Sequence, residues 1–259
     1  MLRSLKALED YTVQARDGDV GKVADFLMDD EQWGVRHLVV RTGGFMDSRE
    51  VLISPLAFGR VDWSTHSFHL DLTRERIRNS PGTDTAKPVS RQRELEQFRY
   101  YGYPDYWGSS GIWRTPGPPP QFGEDQADGE ETPDDVHLRS AKEIRGYHVQ
   151  GTDARIGHVE DFIVDDQTWA IRYLVVDTMT WWVGRKVLVS PHWASGISWE
   201  EHAIRLELTR REIKESPDWD PGAPINRQYE EHLYDYYGRP QYWESGRNRG
   251  DRSSHVQIP

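Results

Sequence analysis

An internal duplication constrains this chain more than any other feature. The stretch Gly21–Val40, GKVADFLMDDEQWGVRHLVV, returns 136 residues later as Gly157–Val176, GHVEDFIVDDQTWAIRYLVV. Laying Leu2–Trp107 on Leu138–Trp243 needs no gap and gives about 45 identities in about 106 positions, the mark of a repeated structural unit. Two small domains are therefore expected within the 259 residues. A hydrophobic fraction of 36% suits that division, because small domains expose much surface for their volume. The boundaries read as repeat 1 over 1–107, a linker over 108–137, repeat 2 over 138–245 and a C-terminal tail over 246–259.

Each repeat reads as a run of short strands. Tyr11–Gln14 and Tyr147–Gln150 alternate apolar and polar residues, and Val23–Met28 and Val35–Val40 flank the acidic segment Asp29–Gln32 as a hairpin would. Arg49–Pro55 and Arg185–Pro191 read as a further strand ended by proline, followed by strands near Phe58–Asp62 and His66–Leu72. Five or six short strands within about 70 residues favour a small closed or half-closed barrel, an all-β fold, over βαβ units. Thr73 and Thr209 each cap a single helical turn. Ser90–Tyr101 and Asn226–Tyr237 read as short helices stopped by Gly102 and Gly238, each followed by an aromatic tail. The linker carries GPPP and the acidic run GEDQADGEETPDD, the composition of an extended connection.

Composition closes several routes. With no cysteine, disulfides, zinc–thiolate sites and thiol nucleophiles are excluded, and a reducing compartment fits. No run approaches the roughly 20 apolar residues of a membrane helix, and the first residues lack the apolar core of a signal peptide, so a cytoplasmic protein is expected. A net charge of −11 disfavours nucleic acid as a partner.

The glycine of Val20-Gly21-Lys22-Val23-Ala24-Asp25-Phe26, the acidic turn, the Leu38-Val39-Val40 strand and the following Val51-Leu52-Ile53-Ser54-Pro55 together resemble the PRC-barrel family. Both repeats carry the pattern, so the chain looks like a tandem, stand-alone bacterial member. The family's small β-barrel also forms the cytoplasmic part of the photosynthetic reaction centre H subunit and the C-terminal domain of a ribosome maturation factor. The resemblance implies two tandem PRC-type barrels, each with a short C-terminal helix and aromatic tail, acting as a scaffold that docks on other proteins. It carries over no catalytic residue.

Candidate sites are few. A hairpin register that places Met28 opposite Trp33 sets Asp25 opposite Arg36, and Asp161 opposite Arg172, as cross-strand structural ion pairs. The turn carboxylates Asp29, Asp30, Glu31, Asp165 and Asp166 lack the glycine of a Ca²⁺ loop and read as a solvated turn. His37, His66, His158 and His202 have no evident partner. Nothing resembles a phosphate loop, a catalytic triad or a zinc-binding helix, so neither an enzyme nor a cofactor is expected.

Aromatic residues in loops are costly to expose and mark contacts, which makes Phe45, Met46, Trp181, Trp182, Tyr106, Trp107, Tyr242 and Trp243 the candidate interaction surface. The expected function is a non-enzymatic protein-interaction or assembly scaffold, reaction-centre-H-like in type, with a protein partner or further copies of itself. The alternatives are a small-ligand or metal-binding module at the barrel mouth or inter-repeat groove, and an RNA-processing or ribosome-linked adapter.

Overall fold

The computed structural model describes residues 1–43, 48–82, 89–103, 136–178 and 185–244. Repeat 1 contains β1 (Leu2–Ser4), β2 (Thr12–Ala15), β3 (Gly18–Asp29), β4 (Gly34–Thr42), β5 (Arg49–Ile53), β6 (Phe58–Asp62) and β7 (Ser67–Leu70). The short helix α1 (Arg74–Arg78), β8 (Val89–Ser90) and α2 (Arg91–Tyr101) complete it. Repeat 2 answers with β9 (Val136–Ser140), α3 (Ala141–Ile144), β10 (His148–Gln150), β11 (Arg155–Asp165), β12 (Ile171–Asp177), β13 (Lys186–Val189), β14 (Ala194–Ser198), β15 (Ala203–Leu206), α4 (Arg210–Lys214) and α5 (Arg227–Tyr237). The strand order β5-β4-β3-β2-β7-β6 in the first repeat is reproduced as β13-β12-β11-β10-β15-β14 in the second. The fold is all-β, built as two barrel-like units.

Local chemistry explains the helices. Thr73 accepts a hydrogen bond from the Arg76 N–H, and Thr209 forms a capping box with Glu212, so each five-residue turn starts on a satisfied end. Ser90 and Asn226 cap α2 and α5, and Gly102 and Gly238 end them at φ 74° and 60°, where a side chain would be strained.

The first strand of each repeat does not stay with its own repeat. β1 pairs antiparallel with β11 of repeat 2, Ser4 opposite Ile163, and β9 pairs antiparallel with β3 of repeat 1, Ser140 opposite Leu27. The exchange is reciprocal, so the repeats are related by a pseudo-two-fold axis. On that axis Gly34 bridges Ala170, its own counterpart, flanked by Val35 N–H to Trp169 C=O at 2.9 Å and Ile171 N–H to Trp33 C=O at 2.8 Å. One apolar core, including Phe26, Phe68, Trp33, Phe162 and Trp169, runs continuously through both repeats. The outer face of β3, β4 and β5 is covered by Leu138, which the exchange brings there, and by Val89 of β8, the strand that pairs with β9.

The hairpin register differs from the sequence-based expectation. The closing pair is Asp29 with Gly34, so the loop keeps four residues but moves one position along the chain, to 30–33, with Trp33 as its last residue at a left-handed φ of 54°. Two irregularities follow. Met28 pairs Val35 while Leu27 pairs His37, leaving Arg36 extra, and Val23 pairs Val40 while Asp25 pairs Val39, leaving Ala24 extra. Asp25 therefore stands opposite Val39 rather than Arg36, and Asp161 opposite Val175 rather than Arg172.

Candidate functional site

Freed from the expected cross-strand pairs, the arginines and aspartates do two different jobs. Arg36 is fully buried and reaches back along its own hairpin to Asp29 Oδ2 at 3.1 Å and Gln32 Oε1 at 2.8 Å. Asp29 also accepts the backbone N–H groups of Glu31 and Gln32, so one buried ion pair organises the acidic turn. In repeat 2 the pair Arg172–Asp165 is looser, at 3.5 Å, and more exposed. There burial pushes the Asp165 carboxyl up, but the Gln167 N–H, the Thr168 hydroxyl and Arg172 outweigh it and hold the group below its ordinary value. The partners proposed from the sequence for Arg36 and Arg172 are thus corrected to Asp29 and Asp165.

Asp25 and Asp161 hold the two repeats together. Asp161 accepts from Ser4 Oγ at 2.5 Å and from the Lys6 N–H at 3.0 Å. Asp25 accepts from Ser140 Oγ and from the Lys142 N–H at 3.2 Å. Each carboxylate thereby caps the chain segment that arrives from the other repeat, just after the exchanged strand. Burial, set against these donors, leaves both carboxyls above their ordinary value. Arg3, carried by β1, reaches back over the Trp63 ring at 4.0 Å, and Arg139 on β9 lies over Trp199 at 4.2 Å. Glu9 and Arg145 occupy the same position of the repeat and meet each other at 2.5 Å, with Lys142 adding a second cation at 3.3 Å from Glu9.

Beside this seam lies a cleft of about 380 Å³. One wall is Pro55, Leu56 and Phe58 to Val61 of repeat 1 and the other is the hairpin loop of repeat 2, Asp166, Gln167 and Trp169. Phe58 packs edge-on against Trp169, ring centroids 5.1 Å apart, which fixes the floor. Asp166 is engaged by Arg3 at 3.1 Å. The inter-repeat groove raised by the sequence as a ligand site thus exists as a feature of shape.

The remaining sequence candidates divide. Phe45, Met46, Trp181, Trp182, Tyr106 and Trp107 lie outside the described residues. Tyr242 and Trp243 are half-buried against their own repeat: Arg172 lies over the Tyr242 ring at 4.1 Å, Arg227 over the Trp243 ring at 4.0 Å. Tyr242 and Tyr173 each donate to Glu230 Oε1 at 2.8 Å. Burial pushes both phenols up, so they remain protonated donors. At the matching position of repeat 1 the buried His37 meets Glu94 at 3.0 Å, a partner the sequence alone did not reveal. His66 and His202 sit at left-handed turns, against Tyr11 and Tyr147 respectively, where they close the turn before the last strand. The buried glutamates and the clasp serines Ser4 and Ser140 were missed, although their identity in both repeats was the signal that would have found them. No group of three or more metal-ligating side chains forms among the described residues, and none of their helices is long and apolar enough to cross a membrane.

Residues 137–212 match the family model of the PRC-barrel domain. No curated protein matches the chain.

Proposed function

We propose, from the premise that the second repeat is a PRC-barrel domain and the first its structural copy, that this protein is a non-enzymatic interaction scaffold: a covalently fused pair of barrels that presents fixed surfaces to a protein partner. The observation that carries this reading is the reciprocal strand exchange with its Asp25 and Asp161 caps. The buried polar groups of the seam face one another and the backbone, satisfying the fold and turning two small domains into one stiff body. Stiffness is what a docking platform needs, because binding then costs little ordering entropy. Docking on a larger assembly also agrees with the resemblance to the cytoplasmic barrel of the reaction centre H subunit. The loops at Phe45–Met46 and Trp181–Trp182, where the repeats disagree most, supply the candidate contacts.

The test is native purification of the tagged full chain from its own cells, with mass measured by light scattering. A stoichiometric complex is expected, and a Trp181→Ser/Trp182→Ser variant should shed the partner while keeping its thermal midpoint. A chain recovered alone at its monomer mass, under mild extraction and after cross-linking, would remove the scaffold reading.

A further inference from the structure

The cleft beside the seam has a property that an ordinary pocket lacks. Four consecutive residues of β6, Phe58 to Val61, line it, so the strand meets the cleft with its edge rather than one face. β6 is the last strand of its sheet, hydrogen-bonded to β7 on one side. Among the described residues no strand covers the other side, which leaves a row of backbone donors and acceptors facing the cleft. The floor is apolar, with Phe58 and Trp169 in edge contact, and Leu56 on the rim is 41% exposed, one of only three large hydrophobic side chains so exposed among the described residues. A free edge above an aromatic floor is the arrangement by which an extended peptide is bound as an added strand.

Charge selects the kind of peptide. Arg60 lines the cleft, is exposed, and has no carboxylate partner among the described residues; its guanidinium reaches only His69 Nε2, at 3.4 Å. The carboxylate of Asp166 across the cleft is already engaged by Arg3. The second repeat provides the contrast. At its equivalent positions Ala194 replaces Phe58, Gly196 replaces Arg60, and the facing loop offers Glu31 where repeat 1's cleft meets Gln167. The equivalent positions thus lack the Phe58 ring and the cation and carry an acid instead.

We propose that the β6 cleft binds an extended segment of a protein partner by strand addition, with an apolar side chain of the partner on Phe58, Trp169 and Leu56 and a neighbouring carboxylate on Arg60. The proposal rests on the scaffold reading and names its docking site. A small aromatic carboxylate would use the floor and Arg60 but make no use of the β6 backbone edge, which an extended peptide would pair.

The probe is a fluorescein-labelled hexapeptide alternating aspartate and valine around a phenylalanine, titrated into the full chain by fluorescence anisotropy. Saturable binding is expected, weakened at least about tenfold by Arg60→Glu, by Leu56→Asp, and by N-methylation of alternate peptide amides, since each removes one stated contact. The Arg60→Glu variant should instead prefer the same peptide with lysine for aspartate. Equal binding of the lysine and aspartate peptides to the native chain, or an N-methylated peptide as tight as the parent, would overturn strand addition with an acidic segment. So would 3-phenylpropionate displacing the peptide at equal affinity, which would make this a small-molecule site. Absence of peptide binding while the native complex survives Arg60→Glu would remove this docking site and leave the scaffold standing. Peptide binding without any native complex would do the reverse.

Discussion

The two repeats share a strand order and a reciprocal Ser–Asp clasp, yet on the axis where they meet one pair of equivalent positions is not alike. Residue 9 of the first repeat is glutamate and its counterpart, residue 145, is arginine; the two meet across the pseudo-two-fold axis. In a symmetric dimer of identical barrels the same position would face itself, bringing two like charges together. Fusion into one chain lifts that restriction, and the opposite charges then favour pairing of repeat 1 with repeat 2 over either repeat with itself. Gly34 and Ala170, which also meet on the axis, are both small, as the close backbone approach of the two hairpins requires. Away from the axis the divergence is of another kind: a buried His37–Glu94 contact stands in repeat 1 where Tyr173 donates to Glu230 in repeat 2. The glutamate is kept, and what it bonds is exchanged.

The sharpest break of this near-symmetry concerns the two hairpin arginines. Arg36→Ala leaves Asp29 buried at 4% exposure and should cost about 4 kcal/mol, whereas Arg172→Ala, which removes a looser, half-buried pair and the cation over the Tyr242 ring, should cost about 2 kcal/mol. Denaturant midpoints of the two variants measure the difference; equal losses would mean that the buried pair contributes no more than its looser counterpart.

Next in size is a place where the repeats should respond alike. A Cβ on Gly21 would come within 2.0 Å of the Arg41 carbonyl oxygen, and one on Gly157 within 2.0 Å of the Asp177 carbonyl oxygen. Backbone cannot step aside cheaply, so Gly21→Ala and Gly157→Ala should each destabilise by about 3 kcal/mol. Calorimetry showing one of them tolerated would locate slack in that barrel.

A smaller effect tests the axis itself. Arg145→Glu should cost about 2 kcal/mol by facing Glu9 with another carboxylate, and adding Glu9→Arg should recover most of it. No recovery in the double variant would show that the pair has no role in matching the repeats.

The smallest expected effect is on pH dependence. Asp25 and Asp161 hold their protons to higher pH in the folded chain than at their ordinary value of 3.8. Their contribution to stability is therefore fully present below pH 3.8 and is lost as pH rises through the folded values. The Asp25→Asn/Asp161→Asn variant should lose less stability than the native chain over that rise. Parallel curves would show that the clasp carboxyls titrate as they do in the unfolded chain.

Much of the fold was legible because periodicity and punctuation are local. The strands around Val23–Met28, Val35–Val40 and Arg49–Ile53, and the helices stopped at Gly102 and Gly238, lie where alternation, caps and glycine place them. The hairpin register was not legible. It depends on Trp33 taking a positive φ, which a bulky residue adopts only when packing requires it, here within the shared core. The cleft was hidden for a related reason: Phe58 and Trp169 are 111 positions apart and belong to different repeats.

The sequence by itself determined that there are two copies of one all-β unit, what family they resemble, and which chemistries the absence of cysteine excludes, because identity, alternation and composition are written along the chain. Only the tertiary structure decided that the copies exchange their first strands, that Asp25 and Asp161 serve the opposite repeat, and that a free strand edge borders an aromatic cleft. Those facts depend on which surfaces meet when two barrels bury their apolar faces together, and a linear pattern does not say which of two equivalent partners a strand will choose.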